Sequence, residues 1–339
     1  MKQLRILISR PDRLGDVVLS TPIPREIKKK YPYSYITVLV RSYAKDIYLN
    51  NPHVDEIIIY PNEENSINFI DKIKFIKKIR SFNFTHSFML LPKERINWFL
   101  FFVGIKVRIG VGHKFYQFVT NAKSIYRNKY IPLRHEADYC LDAIRKLGIE
   151  SNNLDTEIFL TEKEKDESKN VKNSICKNGE LLIGINVTSG NSAPNMPVNE
   201  YKILIEKVNE LEEIKIAITD LIIPEEIQNL NNVTYLNEGN DLRKSIMKFG
   251  SLDLLVSAST GPMHIAAALK VKTLSLFCPL TACSPKLWGP KGNDSEIILP
   301  EDHYCQYKCP GDPKKCLFSG EGGINAQKVF ERLKEMINR

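Results

Sequence analysis

The sequence predicts an α/β protein built from two successive doubly wound, Rossmann-like domains. Short apolar runs of strand length alternate with helical patterns along most of the chain, and residues 252–277 read as strand, tight turn, helix and strand. A polar, charged stretch divides this alternation into two series. Strands that alternate with helices are typical of parallel sheets, and 339 residues are enough for about two domains.

The first series predicts an irregular helix directly after its first strand, because Pro22 and Pro24 interrupt the early turns. Isoleucines at every third position from 67 to 79 indicate an amphipathic helix. The lysines between them predict a solvated face, with membrane contact as the alternative. The predicted strands cover residues 4–9, 35–40, 56–60, 84–91 and 107–110, and the last helix covers 135–147.

Residues 151–180 are polar and charged, and we place the domain boundary among them. This gives a first domain at 1–165 and a second at 166–339, whose closing helix at 324–337 could also pack on the first domain. The second series predicts strands at 181–187, 214–219, 233–236, 252–256 and 272–277, and helices at 197–211, 224–230, 241–249 and 262–269.

Charge is distributed unevenly. Residues 1–150 hold 26 Lys and Arg against 14 Asp and Glu, whereas residues 151–339 hold 22 against 26. A basic first domain is compatible with nucleic acid, with an anionic membrane surface, or with no partner. The chain contains no apolar run of membrane-spanning length and begins without a signal-peptide pattern, so we expect a cytoplasmic protein. Seven cysteines, an odd number, argue against a disulfide framework in a cytoplasmic protein.

The turn at residues 259–262 is a candidate anion site. Ser259, Thr260 and Gly261 bring small side chains and backbone N–H groups to the start of a helix, and Pro262 suits its first position. Helix N-termini bind anions, and ligands of open α/β sheets bind at the carboxyl ends of strands. A tight crossover without a ligand is the alternative.

Two segments resemble glycosyltransferase family 9, the ADP-heptose-dependent lipopolysaccharide heptosyltransferases. The first is RPDRLGDVVLSTPIPREIKKKYP, followed by ITVLV and NPHVDEII; the second is STGPMHIAAALKVKTLSLFCPL, followed by LWGP and YCQYKCPGDPKKC. HEADYCLDAIRKLGI, between them, is also similar to the family. The resemblance implies two domains facing a cleft, the GT-B glycosyltransferase architecture. It also implies an inverting, metal-independent transfer of a heptose from ADP-heptose to an acceptor hydroxyl of the lipopolysaccharide inner core.

The resemblance implies roles for individual residues. Asp16 would be the base that takes the acceptor proton, and capping of its helix is the structural alternative. Apart from the resemblance, Glu225, with Glu226 as the alternative, is the candidate for binding the ribose because it follows the predicted strand at 214–219. The other donor-binding candidates are Ser259, Thr260, Gly261, Pro262, His264 and Thr188. The candidates for binding acceptor or phosphate are Arg10, Arg13 and Gly15.

Two departures from the family pattern bear on the donor. Ser259 stands where the family usually has Asp, and the loop SAPNMP at 192–197 lacks the usual Lys or Arg. Arg10, Arg13 or Lys286 could supply the missing cation. Three cysteines are candidates for a structural metal site, although the spacing is not a paired CxxC motif: Cys305, Cys309 and Cys316.

The partners that follow are an ADP-sugar donor and a lipid A–core acceptor at the inner face of the cytoplasmic membrane. We expect a monomer that requires no cofactor, does not bind nucleic acid and associates peripherally with that membrane. The alternatives are a transferase that uses another nucleotide sugar or a protein acceptor, a nucleotide-sugar 2-epimerase, and a non-catalytic nucleotide-sugar-binding relative. The motif LGDVVLSTP speaks against the epimerase, and the presence of Asp16 speaks against the non-catalytic relative.

Overall fold

The computed structural model describes residues 3–61, 68–128, 130–236, 239 and 241–339. The chain divides into two compact units, Met1–Phe159 and Leu160–Arg339. The boundary expected at 165/166 lies inside a helix, Glu162–Ile175, which belongs to the second unit. Most of the polar stretch before that helix belongs to the first unit. There it is held by Arg25, which donates to the carbonyl of Asp155 and to the carboxylate of Glu157.

The first unit is built on a six-stranded parallel sheet. Its strands are β1 (Arg5–Ser9), β2 (Tyr35–Val40), β3 (Glu56–Ile59), β4 (His86–Met89), β5 (Val107–Val111) and β6 (Lys123–Ile125), in the order β3-β2-β1-β4-β5-β6. The order reverses between β1 and β4, and in such sheets ligands bind outside the carboxyl ends of the strands at the reversal. The strand β6 was not predicted, because it has only three residues and buries only Ile125.

In the described part of the first unit, six α-helices accompany this sheet: α1 (Leu14–Val18), α2 (Pro22–Lys30), α3 (Phe69–Ser81), α4 (Glu94–Val103), α5 (Phe115–Val119) and α6 (Glu136–Arg145). Pro22 begins α2, so the predicted irregular helix is in fact two helices. In α3, Ile79 is buried but Ile70 is exposed. Three residues are less than a full helical turn, so the isoleucines rotate away from one face. Ile67 lies outside the described residues.

The second unit repeats the topology of the first. Its strands are β7 (Leu181–Asn186), β8 (Ile214–Ile218), β9 (Val233–Tyr235), β10 (Leu254–Ala258), β11 (Lys272–Leu276) and β12 (Ser295–Ile298), in the order β12-β11-β10-β7-β8-β9. Counted from the first strand of each unit, both sheets have the order 3-2-1-4-5-6, the doubly wound arrangement of nucleotide-binding domains. The predicted fold class is confirmed for each unit. The strand β12 was missed.

The helices of the second unit are α7 (Glu162–Ile175), α8 (Val198–Asn209), α9 (Leu242–Phe249), α10 (Gly261–Ala268), α11 (Pro285–Trp288), α12 (Asp302–Tyr307) and α13 (Ala326–Ile337). The helix predicted at 224–230 is only a 3-10 turn, Glu225–Ile227, because Asn229 takes a left-handed backbone conformation. The closing helix α13 packs on α8, whose Glu200 accepts the Ala326 N–H at 2.7 Å. Its packing on the first unit stays a prediction.

Candidate active site

Arg10 follows β1 directly and lies at the reversal point of the first sheet. Its side chain is buried, and Nη1 donates a 2.9 Å hydrogen bond to the carbonyl of Leu90, the residue that follows β4. Its backbone N–H donates to the carbonyl of Leu39 in β2 at 3.0 Å. Arg10 therefore connects the carboxyl ends of three neighbouring strands, where a ligand site is expected in this fold.

Two carboxylates from different helices share the guanidinium of Arg10. Nη2 donates to Oδ1 of Asp16, in α1, at 2.7 Å and to Oε1 of Glu136, the first residue of α6, at 3.0 Å. Arg127 also binds Glu136, with Nη2 2.5 Å from Oε2 and Nη1 3.2 Å from Oε1. The result is an alternating chain of charges, Asp16–Arg10–Glu136–Arg127, whose two central members are buried.

Burial and charge act in opposite directions on the two carboxylates. Burial raises the pKa of Asp16 to about 6; the nearby Arg10 charge opposes this shift, while Asp12 and Glu136 add to it. Burial also acts to raise the pKa of Glu136, but Arg10 and Arg127 outweigh it and lower that pKa. Glu136 therefore stays ionised at neutral pH, whereas a pKa of about 6 lets Asp16 accept and release a proton close to neutrality.

The structural alternative, in which Asp16 caps its helix, is wrong. The helix α1 begins at Leu14 with Arg13 as its N-cap residue, so Gly15 and Asp16 lie within its first turn. The carboxylate of Asp16 accepts its hydrogen bond from Arg10. The side chain of Arg13 is exposed, so it does not join the buried network.

The network contains two residues that sequence reasoning did not assign, Glu136 and Arg127. Glu136 lies within HEADYCLDAIRKLGI, the middle segment that is similar to the family. His135 caps α6, its Nδ1 accepting the Ala137 N–H at 3.2 Å, and this places Glu136 at the helix start. A charged residue before the apolar positions of α6 was the only local signal.

In the second unit, the predicted anion site lies at the start of α10, after β10. Thr260 is the N-cap residue, but its hydroxyl donates to the carbonyl of Ala258 at 3.3 Å and does not cap the helix. Gly261 and Pro262 are the first two helical residues, so Pro262 is second rather than first. Thr260 and His264 are buried, whereas Ser259 is half-buried.

The neighbouring loop after β7 is held by a carboxylate that sequence reasoning missed. Asp220 is buried just beyond β8 and accepts the N–H groups of Val187 at 2.7 Å and Thr188 at 2.6 Å. Burial raises the pKa of Asp220, and these hydrogen bonds oppose the shift. Because β7 and β10 are adjacent at the reversal of the second sheet, Thr188 and the start of α10 follow neighbouring strand ends.

The remaining candidates of the second unit are less enclosed. Glu225 and Glu226 are exposed in the 3-10 turn after β8, and Lys286 is exposed in α11. In the loop that lacks the expected cation, the side chain of Asn195 donates to the carbonyl of Val187 at 2.6 Å. That contact fixes the loop on β7 without a charge.

The three cysteines proposed as metal ligands differ in exposure. Cys316 is buried, Cys305 is half-buried and Cys309 is exposed, and each is a free thiol. Cys316 Sγ lies 3.8 Å from the hydroxyl of Tyr304. The part of the chain that the structure describes contains no group of three or more His, Cys, Asp or Glu side chains placed to hold a metal ion.

The family model described as glycosyltransferase family 9 (heptosyltransferase) matches residues 73–315. The chain belongs to glycosyltransferase family 9. This family 9 protein is 25% identical over 311 residues to a Haemophilus influenzae protein named as a glycosyltransferase, which covers 84% of the chain and 86% of the relative. The family confirms a glycosyltransferase and speaks against the 2-epimerase alternative. The match begins after the segment that carries Arg10 and Asp16.

Two solved structures share the fold of this glycosyltransferase. Escherichia coli ADP-heptose lipopolysaccharide heptosyltransferase II matches with a TM-score of 0.73 and 18% identity, covering 99% of both chains. Escherichia coli heptosyltransferase WaaC, solved with ADP, matches with a TM-score of 0.74 and 14% identity, covering 98% of this chain and 99% of that chain. Both matches extend over the two units.

Proposed function

We propose that this glycosyltransferase transfers a heptose from ADP-heptose to a hydroxyl of the lipopolysaccharide inner core, with inversion at the anomeric carbon. The observation that carries the proposal is the ion pair between buried Arg10 and half-buried Asp16 at the reversal point of the first sheet. The family match supports sugar transfer, and the likeness to a heptosyltransferase solved with ADP supports the nucleotide.

The first unit would supply the base. The acceptor oxygen attacks the anomeric carbon, the bond from that carbon to the diphosphate oxygen breaks, and ADP leaves. Asp16 accepts the acceptor proton as the new bond forms, which a carboxylate with a pKa of about 6 can do at neutral pH. Arg10 holds the carboxylate in place, and Glu136 and Arg127 hold Arg10.

The second unit would bind the donor. The leaving diphosphate develops negative charge, and the N-terminus of α10 presents backbone N–H groups and a helix dipole to it at Thr260 and Gly261. Thr188 lies in the adjoining loop that Asp220 fixes. Pro262 and His264 would line the same diphosphate site, and Glu225 would contact the ribose.

A second candidate is a related transferase that uses another nucleotide sugar, and one observation favours it. Ser259 precedes Thr260 where the family usually has Asp, so a hydroxyl stands in place of the carboxylate that would contact the donor sugar in the family. A protein acceptor is compatible with the same chemistry. We expect the enzyme to work in the cytoplasm as a monomer, with no cofactor or catalytic metal.

Thermal melting with sugar nucleotides tests the donor, followed by a transfer assay with the best nucleotide sugar. We expect ADP and ADP-heptose to raise the melting temperature of the full chain, and Thr188→Ala and Thr260→Val to reduce the shift. Glu212→Ala, an exposed change in the same unit, is the control and should leave the shift intact. Stabilisation by UDP sugars and not by ADP or ADP-heptose would overturn the donor assignment.

A further inference from the structure

In the helix α5 a polar side chain is buried and aromatic side chains are exposed, which is the reverse of the usual arrangement. Gln117 is fully buried, while Phe115 and Phe118 are 81% and 82% exposed. Gln117 Nε2 donates to the carbonyl of Val111, and its Oε1 accepts from Lys114 N–H and from Ser124 Oγ. These hydrogen bonds fix the orientation of the helix, so the phenylalanines point outward as a consequence of the fold.

The neighbouring helix α4 is apolar on both sides. Its inner face buries residues that include Ile96, Leu100 and Val103. Its outer face carries Phe101 and Phe102, which are 40% and 53% exposed, with Trp98 stacked on Phe102 at a ring-centroid distance of 6.0 Å. A surface helix of a water-soluble domain normally has a polar outer face, so a second apolar face indicates a partner.

The two helices are joined by polar contacts, so their outer faces have a fixed relation. Asn97 Nδ2 in α4 donates to the carbonyl of Tyr116 at 3.2 Å and to Thr120 Oγ1 at 3.0 Å. The hydroxyl of Tyr116 donates to the carbonyl of Pro92, just before α4, at 2.8 Å. We define the aromatic surface as five side chains of these helices: Trp98, Phe101, Phe102, Phe115 and Phe118.

The charge around the aromatic surface identifies the kind of partner. Residues 95–134 contain eight Lys and Arg and no Asp or Glu. Of these, Arg127 and Arg134 are paired with carboxylates that follow the range, and Glu94, just before it, accepts a hydrogen bond from Trp98 Nε1 at 3.1 Å. Lys106, Lys114 and Lys123 are exposed. Exposed aromatic rings beside lysines are the pattern of proteins that lie on anionic bilayers, where the rings enter the headgroup region and the cations meet phosphate.

We propose that the aromatic surface docks on an anionic phospholipid bilayer. A second copy of this chain is a poorer occupant, because a twofold interface would bring the basic patch of one copy against the basic patch of the other. A free phosphorylated sugar would meet the lysines but would leave the outward rings of α4 and α5 uncovered. The inference does not depend on the donor or acceptor proposed above.

Vesicle flotation of the full chain tests the proposal. We expect binding to vesicles rich in phosphatidylglycerol, weak binding to phosphatidylcholine alone, and a loss of binding as salt rises. Phe115→Ser combined with Phe118→Ser should reduce binding by at least about tenfold, because two large apolar groups no longer leave water. Tyr33→Ser, at a 90% exposed aromatic of the same unit, should bind within about twofold of wild type.

The two tryptophans, Trp98 and Trp288, permit a second, direct measurement. With Trp288→Phe, brominated lipids should quench the fluorescence of Trp98 in anionic vesicles. Asp16→Asn should bind vesicles like wild type, which separates docking from transfer. Because Phe115 and Phe118 are exposed, the double variant should fold like wild type, and its melting temperature checks this. Equal binding of the double variant, equal binding to neutral vesicles, an unquenched Trp98, or a dimer that the double variant disrupts would each overturn the proposal.

Discussion

Arg10 Nη2 donates a 2.7 Å hydrogen bond to Asp16 Oδ1, and this contact connects the end of β1 to the first turn of α1. The same nitrogen also serves Glu136, so the attraction of one guanidinium is divided between two anions. Arg10 therefore holds Asp16 in position without lowering its pKa as far as an undivided ion pair would. Position and basicity, which a base needs together, are compatible here for that reason.

The first prediction concerns the pH dependence of transfer. If Asp16 is the base and its pKa is about 6 in the free enzyme, kcat/KM should fall by about tenfold per pH unit below that value, because the protonated carboxyl cannot accept a proton. Initial rates at low acceptor concentration measure this acidic limb of the pH profile of kcat/KM. A plateau that continues down to about pH 4, the ordinary range of Asp, would show that Asp16 is not the titrating group.

The second prediction uses the two neighbours of Asp16 to move that limb in opposite directions. Glu136→Gln removes a negative charge that raises the pKa of Asp16, so the limb should move to lower pH. Arg10→Gln removes the positive charge that lowers this pKa, so the limb should move to higher pH. The midpoint of the kcat/KM profile is the measurement.

A matched control distinguishes charge from general damage to the fold. Glu26 is also a buried carboxylate in the first unit and is paired with Arg25 at 2.8 Å. Glu26→Gln should reduce thermal stability and leave the midpoint unchanged. Shifts of Glu136→Gln and Arg10→Gln in the same direction would contradict the electrostatic account.

Much of the fold was predictable, because the alternation of apolar runs with helical patterns is local in the sequence. Both sheets were predicted as parallel and doubly wound, while β6 and β12, which have three and four residues, were missed. The site was predictable only in part. Arg10 and Asp16 are six residues apart, but Glu136 is separated from Arg10 by 126 residues and only the fold brings them together.

The same reason accounts for Asp220. A single carboxylate within an apolar segment has no local signal of what it binds, and its partner N–H groups at Val187 and Thr188 lie more than thirty residues earlier. The prediction that Asp16 caps α1 failed for a different reason. Asp is a good N-cap by preference, yet in the fold the carboxylate of Asp16 is held by Arg10, and α1 begins two residues earlier.

The third prediction concerns Asp220. Asp220→Asn replaces an oxygen that accepts a backbone N–H with an amide that donates, so one buried N–H of Val187 or Thr188 loses its partner. Such a loss costs about 1–3 kcal/mol in the free energy of unfolding. The loop with Thr188 should loosen, and the KM for the donor should rise by more than kcat falls. Denaturant unfolding and donor-dependent rates measure both effects.

Asp253 provides the comparison for that variant. Its carboxylate also accepts a backbone N–H, from Leu182 at 2.7 Å, but it precedes β10 and so lies at the opposite end of the sheet from Thr188. Asp253→Asn should reduce stability without raising the donor KM. If both variants raise the donor KM alike, the loop after β7 has no particular part in donor binding.

The last prediction concerns Asp16 itself. Asp16→Asn keeps the shape of the side chain and an oxygen that can accept from Arg10, but it removes the basicity. If Asp16 takes the acceptor proton, single-turnover transfer should fall by about 10²–10⁴-fold. Donor affinity should change little, because the candidate donor residues lie in the second unit.

The stability of the same variant supplies an internal check. Burial raises the pKa of Asp16 in the folded state, so its stabilising contribution is complete below the unfolded value of 3.8 and is lost as pH rises through about 6. Relative to wild type, Asp16→Asn should therefore gain in free energy of unfolding between about pH 4 and pH 6. A folded, donor-saturated variant that turns over within about threefold of wild type would assign the proton to another residue and leave Asp16 as a structural partner of Arg10.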